Sequence, residues 1–263
     1  MIGKVLTIGL NTFREAVRNK VLYSLLFFAV LVIVASLAFG ALSVHEEVRL
    51  TTDLGLGGMS LFSVIIAIFV GVNLVYKELE RKTIYSLIPK PIHRYQFVLG
   101  KFIGMVLTLA VQIVVMTAVL FVVLKIQGGD IGSAVPKMIV LIFFEVVVVT
   151  AIAVLFSSFS TPFLSGLFTV GVFLVGRSVP DIRQVAGKIE NRSLAVLLGV
   201  VTRVVPDLRY LYVTGSETPE GYISVHGLFP DWSYVGAAGA YAVLYVALVL
   251  LVAIALFSRR DFI

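Results

Sequence analysis

Apolar runs of membrane length alternate with short charged breaks along this chain. A helix that crosses a bilayer needs about 20 predominantly apolar residues. Six runs meet or approach that length: residues 21–42, 57–76, 102–124, 138–156, 162–176 and 234–257. The fifth is short, so it either extends back through Phe159 or sits where the bilayer is thinned. The predicted fold is an all-α membrane protein with six transmembrane helices, formed as a single domain over residues 1–263.

Two stretches outside the runs carry helical signals of their own. In residues 1–20, Ile2, Val5, Leu6, Leu10, Phe13 and Val17 recur at helical spacing, with Lys4, Asn11, Arg14, Glu15 and Arg18 on the other side. A basic amphipathic helix ahead of a first span reads as one lying in the membrane interface. The competing reading is a cytosolic extension of the first span. Residues 177–233 form the one sizeable segment outside the spans, punctuated by Pro180, Pro206, Pro219 and Pro230. Within it, residues 193–205 are apolar but too few to cross, and Arg203 interrupts them. That predicts an interfacial or re-entrant helix in an external, periplasmic segment.

Composition agrees with the pattern. Hydrophobic residues make up 59% of the chain and charged residues 14%, against about 25% charged in soluble domains. The net charge of +6 is read as an orientation signal rather than as nucleic-acid affinity. Lys4, Arg14, Arg18, Lys20, Lys77, Arg81, Lys82, Lys90, Arg94, Lys101, Arg259 and Arg260 fall in the terminal arms and the 77–101 loop. The short loops on the opposite side hold Arg49, Lys125 and Lys137. Both termini and the 77–101 loop are therefore expected in the cytoplasm. The absence of cysteine excludes disulfides and thiolate chemistry. The N-terminal charges run through the segment rather than preceding a short apolar stretch, so no signal peptide is expected.

The candidate chemistry is sparse. The chain has no GxxxxGK[ST] phosphate loop, no HExxH and no GxSxG, so no catalytic residues are assigned and no enzyme activity is expected. His45-Glu46-Glu47 could hold a metal at the outer mouth of the first span, but a solvated loop end is the favoured reading, and no metal is assigned. Glu145 stands alone as an ionisable residue within the predicted runs. A charge at mid-bilayer costs at least about 2.5 kcal/mol. It must face a partner or an aqueous path. The two readings are a transport-path residue and a structural contact with Gln112 or Asn73, the second being favoured. Thr161 or Ser160 is a candidate N-cap ahead of Pro162.

The 77–101 loop reads KELERKTIYSLIPKPIHRYQFVLGK. Glu78 through Leu87 can continue the second helix, Pro89 and Pro91 stop it, and Arg94 starts the next. This helix–proline–helix layout, with Ile84, Leu87 and Ile88 near one face, suits either docking in a partner's groove or a plain solvated hairpin.

At this loop the chain resembles the ABC-2-type transporter permeases. The matching residues are Glu78, Glu80, Thr83, Ile84, Leu87, Pro89, Pro91, Ile92, Arg94, Gly100 and Lys101. Phe13-Arg14-Glu15, the Glu145 to Ser157-Ser158 run, Pro206-Asp207-Leu208 and Arg259-Arg260-Asp261-Phe262 extend the likeness over nearly the whole chain. Within the family it is most similar to the permeases of multicopper-enzyme maturation, such as the nitrous-oxide reductase accessory transporter. The resemblance implies a permease dimer in a bacterial or archaeal inner membrane. It also implies a separate ATP-binding cassette ATPase that carries ATP and Mg, none being bound by this chain. Glu78, Glu80, Arg81, Thr83, Leu87, Pro89, Pro91 and Arg94 would form the coupling helix that meets that ATPase. The substrate path would lie at the dimer interface, between second and fifth spans. Residues 177–233 would cap the path or meet a periplasmic partner. Two other readings stand beside this exporter: a non-transporting membrane scaffold, and an ion-coupled transporter using Glu145.

Overall fold

The computed structural model describes residues 2–41, 47–80, 93–129, 131–189, 191–214, 217–218, 221–223, 225 and 229–259. Its elements in chain order are α1 (Ile2–Val17), α2 (Lys20–Ala41), α3 (Glu47–Glu80), α4 (Arg94–Ile126), α5 (Ala134–Ser157), α6 (Pro162–Arg177), α7 (Val179–Ala186), α8 (Arg192–Val204), a 3-10 turn (Leu208–Tyr210) and α9 (Trp232–Arg259). A pair of two-residue antiparallel strands, β1 (Glu217–Thr218) and β2 (Gly221–Tyr222), precedes α9. The fold is all-α, as expected. Among the described residues, five helices are long and apolar enough to cross a membrane, and the bent pair α6–α7 makes a sixth if it counts as one span.

The predicted runs lie inside α2, α3, α4, α5, α6 and α9, save Leu42 at the end of the first, which is outside the described residues, and several helices outrun them. The second run was expected over 57–76, but α3 begins at Glu47 and has 34 residues, about 50 Å of helix. Its early turns carry Arg49 and Asp53, so hydropathy alone started it too late. α4 begins at Arg94 as expected, where the His93 N–H donates to Gln96 Oε1 at 3.2 Å. α6 starts on Pro162 with Thr161 at the N-cap position, although the Thr161 side chain makes no capping bond.

α3, α4 and α5 form the centre. Leu56, Met59 and Ile66 of α3, Met105, Leu109 and Met116 of α4, and Leu141, Ile142 and Val149 of α5 are all buried in one cluster. α2 is the least enclosed span, and Phe27, Phe28, Leu31 and Val34 face outward from it. In a membrane this is the expected arrangement, since acyl chains solvate such side chains as well as a protein interior does.

α1 is separated from α2 by a break at Arg18-Asn19, where the Asn19 side chain accepts the Val21 N–H. α1 is thus a helix of its own, not an extension of the first span. It packs along the first turns of α4 through glycine. A Cβ on Gly104 would collide with the Gly9 carbonyl and with Thr12, and one on Gly100 would lie 2.7 Å from Ile8 Cβ. Only glycine permits backbones to approach this closely.

The segment after α6 does not leave the bundle directly. α6 has 16 residues, about 24 Å, short of a roughly 30 Å hydrocarbon core. The chain then bends by 64° into α7. α7 and α8 form a hairpin held by Arg183, which donates to the Thr202 carbonyl at 3.2 Å and pairs with Asp207 at 3.3 Å. Three tyrosines of α9 fix the chain from the end of α8 through the 3-10 turn. Tyr245 Oη donates to the Val204 carbonyl, Tyr241 Oη accepts the Asp207 N–H, and Tyr234 Oη donates to the Tyr210 carbonyl. These tyrosines share one face of α9 and span about 16 Å of its length. The chain from Val204 to Tyr210 therefore climbs α9, and α8 ends well below Trp232, the first residue of α9.

Candidate functional site

The fully buried carboxylate of Glu145 lies eleven residues into α5, about 16 Å along the helix. Arg177, the last residue of α6, reaches it from the side. Arg177 Nε donates to Glu145 Oε1 at 2.8 Å and Nη2 donates to Oε2 at 2.9 Å. Ser60 of α3 closes the set: its hydroxyl donates to Glu145 Oε2 at 2.9 Å and accepts from Arg177 Nη2 at 2.6 Å. The guanidinium also faces two rings, Tyr212 at 3.9 Å and Phe173 at 5.2 Å from the centroids. A two-point Arg–carboxylate pair with aromatic cover is the arrangement that makes a buried charge tolerable. Burial pushes the Tyr212 phenol above its ordinary value, with the Arg177 charge pulling the other way. Its ring therefore stays neutral beside the cation.

Sequence reasoning favoured Gln112 or Asn73 as the partner of Glu145. The structure gives Arg177 and Ser60 instead. Gln112 turns its amide to Met116 Sδ at 3.9 Å, and the Asn73 side chain is outside the described residues. Arg177 was missed because it follows the apolar run and was counted with the external segment. The signal available was the shortness of that run, which brings its C-terminal residue to the level of Glu145.

The pair connects to the hairpin. Arg209 Nε donates to the Arg177 carbonyl at 3.1 Å, and Arg209 pairs with Asp181 at 3.5 Å. Polar contacts therefore run from α3 and α5 through the end of α6 to α7 and the 3-10 turn. The hinge between α6 and α7 sits within this network.

At the opposite end, the exit of the charged loop is tied down. Arg94 donates to the carbonyls of Ser258 at 2.7 Å and Phe257 at 3.4 Å, capping the C-terminus of α9. Phe97 and Phe257 stack at 6.0 Å. One turn on, the buried Lys101 pairs with Glu15 of α1 at 3.5 Å. The first two turns of α4 thus gather α1, α9 and the loop exit. Of the eight expected coupling residues, Arg94 is placed here. Glu78 and Glu80 lie in the last turn of α3, where their side chains are not described. Arg81, Thr83, Leu87, Pro89 and Pro91 fall outside the described residues, as do His45 and Glu46.

The sequence profile described as ABC-2 family transporter protein matches residues 6–262. The chain belongs to this family. No curated protein matches it at a significant level.

As an ABC-2 family chain it is a membrane transport component, not itself catalytic, and its family implies partnership with an ATP-binding cassette ATPase. Its multiple apolar helices make it a multi-pass membrane protein. The two regions then fall at telling places in a permease. One is a polar lock at the broken helix, and the other is the anchored exit of a basic loop.

Proposed function

We propose that this chain is the permease subunit of an ATP-binding cassette exporter, driven by a separate ATPase that docks on the 77–101 loop. The family match over residues 6–262 carries this reading. The lack of a phosphate loop in the sequence supports a separately encoded motor. Two copies of the permease pair, each with one ATPase that binds ATP and Mg, in a bacterial or archaeal inner membrane with both termini cytoplasmic. Glu78, Glu80, Arg81, Thr83, Leu87, Pro89, Pro91 and Arg94 form the coupling surface. The hairpin side of the molecule, residues 177–233, meets the periplasm and any partner there.

The loop is the point where work enters. Its exit turn is bound to α1 and α9 through Lys101, Phe97 and Arg94. A displacement of the loop would move three elements together. The ion-coupled alternative is weakened by the Arg177 clamp, because a coupling carboxylate must take up and release protons during turnover. A non-transporting scaffold would bind its partner without driving ATP turnover.

The test is co-expression of the permease with an ATP-binding cassette ATPase from the same genome, followed by affinity purification. The wild-type pair should co-purify, and Leu87→Asp should abolish the pairing while the permease still inserts. Retention of the ATPase by Leu87→Asp would sink the docking assignment. Pairing without ATP-dependent transport in vesicles would favour the scaffold.

A further inference from the structure

Burial divides α1 into three faces rather than two. At 100° per residue, Gly9, Thr12 and Ala16 fall together and are buried, Gly9 and Thr12 against α4. Next to them, Leu6, Leu10 and Val17 form a row that is 51%, 50% and 37% exposed. The third face carries Lys4, Asn11, Arg14 and Arg18, all exposed. Lys20 follows immediately after the break and is also exposed. The apolar face that the sequence identifies is therefore split: Val5 lies against Gly100 of α4, whereas the row of Leu6, Leu10 and Val17 turns away from it. This row is left over after docking and lies directly beside the basic residues.

The charge on this element is also less balanced than its sequence implies. Glu15 is the sole acidic residue among the first twenty, and Lys101 of α4 pairs with it. Arg14, Arg18 and Lys20 thus stand beside an apolar row with the one acid of their segment engaged by α4. An apolar row at the acyl boundary with cations just above it is the chemistry that holds a lipid phosphate.

We propose that α1 is a binding element for acidic phospholipids, with Arg14, Arg18 and Lys20 on the headgroup phosphates and Leu6, Leu10 and Val17 among the acyl chains. The glycine contact with α4 makes the bound lipid part of the same unit as the loop exit. The inference rests on the packing of α1 alone and does not depend on the coupling role of the loop. A protein partner fits the same face less well, because it would need an acidic surface together with a strip of apolar surface alongside three half-exposed side chains.

The experiment titrates the purified full-length permease with phosphatidylglycerol or phosphatidylcholine of identical acyl chains and counts bound lipids by native mass spectrometry. Wild type should prefer phosphatidylglycerol. Each cation contributes about fivefold, so Arg14→Gln/Arg18→Gln/Lys20→Gln should lose a preference on the order of a hundredfold, with phosphatidylcholine binding unchanged. Lys188→Gln, an exposed charge beyond α7, should leave the preference intact. The proposal is overturned if the triple variant keeps the preference or if Lys188→Gln lowers it equally. It is also overturned if the triple variant sheds the ATPase while retaining wild-type lipid selectivity, which would assign the face to protein docking.

Discussion

Arg177 grips Glu145 at two points, Nε to Oε1 at 2.8 Å and Nη2 to Oε2 at 2.9 Å. The acid belongs to the middle of α5 and the base to the last residue of α6, so the pair fixes where α6 ends and α7 departs. Removing one partner of a buried ion pair costs about 3–5 kcal/mol, because the other charge is left uncompensated. Arg177→Ala should therefore lower the thermal stability of the detergent-purified protein sharply. Glu145→Gln/Arg177→Gln should recover much of that loss. Additive single and double effects would mean that the two side chains do not act as a pair.

The same pair shows what the sequence could and could not disclose. The spans were legible because a bilayer imposes one length and one composition on each. The start of α4 at Arg94 and the separate helix ahead of the first span were legible from proline and from periodicity. The partner of Glu145 was not. Hydropathy places a residue along a helix but does not say which neighbouring helix it faces. Arg177 reaches the acid because α6 ends beside α5 at the level of Glu145. The start of α3 was hidden for a related reason: Arg49 and Asp53 interrupt the apolar run without interrupting the helix. The docked face of α1 was missed because Gly9 and Thr12, which carry little hydrophobic signal, lie at its closest approach to α4.

Arg94 joins the loop exit to the end of α9 through the Ser258 and Phe257 carbonyls. Hydrogen bonds from a charged donor contribute about 1.5–3 kcal/mol when buried, and the exposure of Arg94 puts this cap at or below the lower end. Stability should barely change in Arg94→Ala. The expected defect is in coupling: ATP hydrolysis by the assembled complex should persist while vesicle transport falls several-fold. Equal transport per ATP in variant and wild type would show that the cap carries no motion.

Gly104 predicts a steric effect at the α1–α4 contact. A Cβ there would run into the Gly9 carbonyl, which belongs to backbone and cannot rotate away. Gly104→Val should push α1 off α4 and expose the Arg18-Asn19 break to trypsin. Gly236→Val is the control, since a Cβ at that position of α9 meets nothing within 4 Å. Cleavage after Arg18 should rise several-fold in the first variant and stay at the wild-type rate in the second. Equal rates would mean that α1 can dock without the glycine contact.

Asp207 predicts a pH dependence of the hairpin end. Its side chain is almost entirely enclosed, pairs with Arg183 at 3.3 Å and accepts the Arg209 N–H at 3.2 Å. Burial raises its pKa above the ordinary carboxylate value, more than Arg183 and Arg209 lower it. A carboxylate raised in the fold stabilises that fold fully below its unfolded pKa, about 3.9. The contribution is lost as the pH climbs through the folded value. Asp207→Asn keeps an acceptor for the Arg209 N–H and removes the buried charge. The variant should therefore match or exceed the wild-type melting temperature at neutral pH. The difference should shrink as the pH falls toward about 4, where the wild-type carboxyl takes up its proton. Melting curves of both proteins across that range provide the measurement. If Asp207→Asn melts lower at neutral pH and the gap closes in acid, the attraction of Arg183 outweighs the burial cost, and the folded carboxyl is shifted down rather than up.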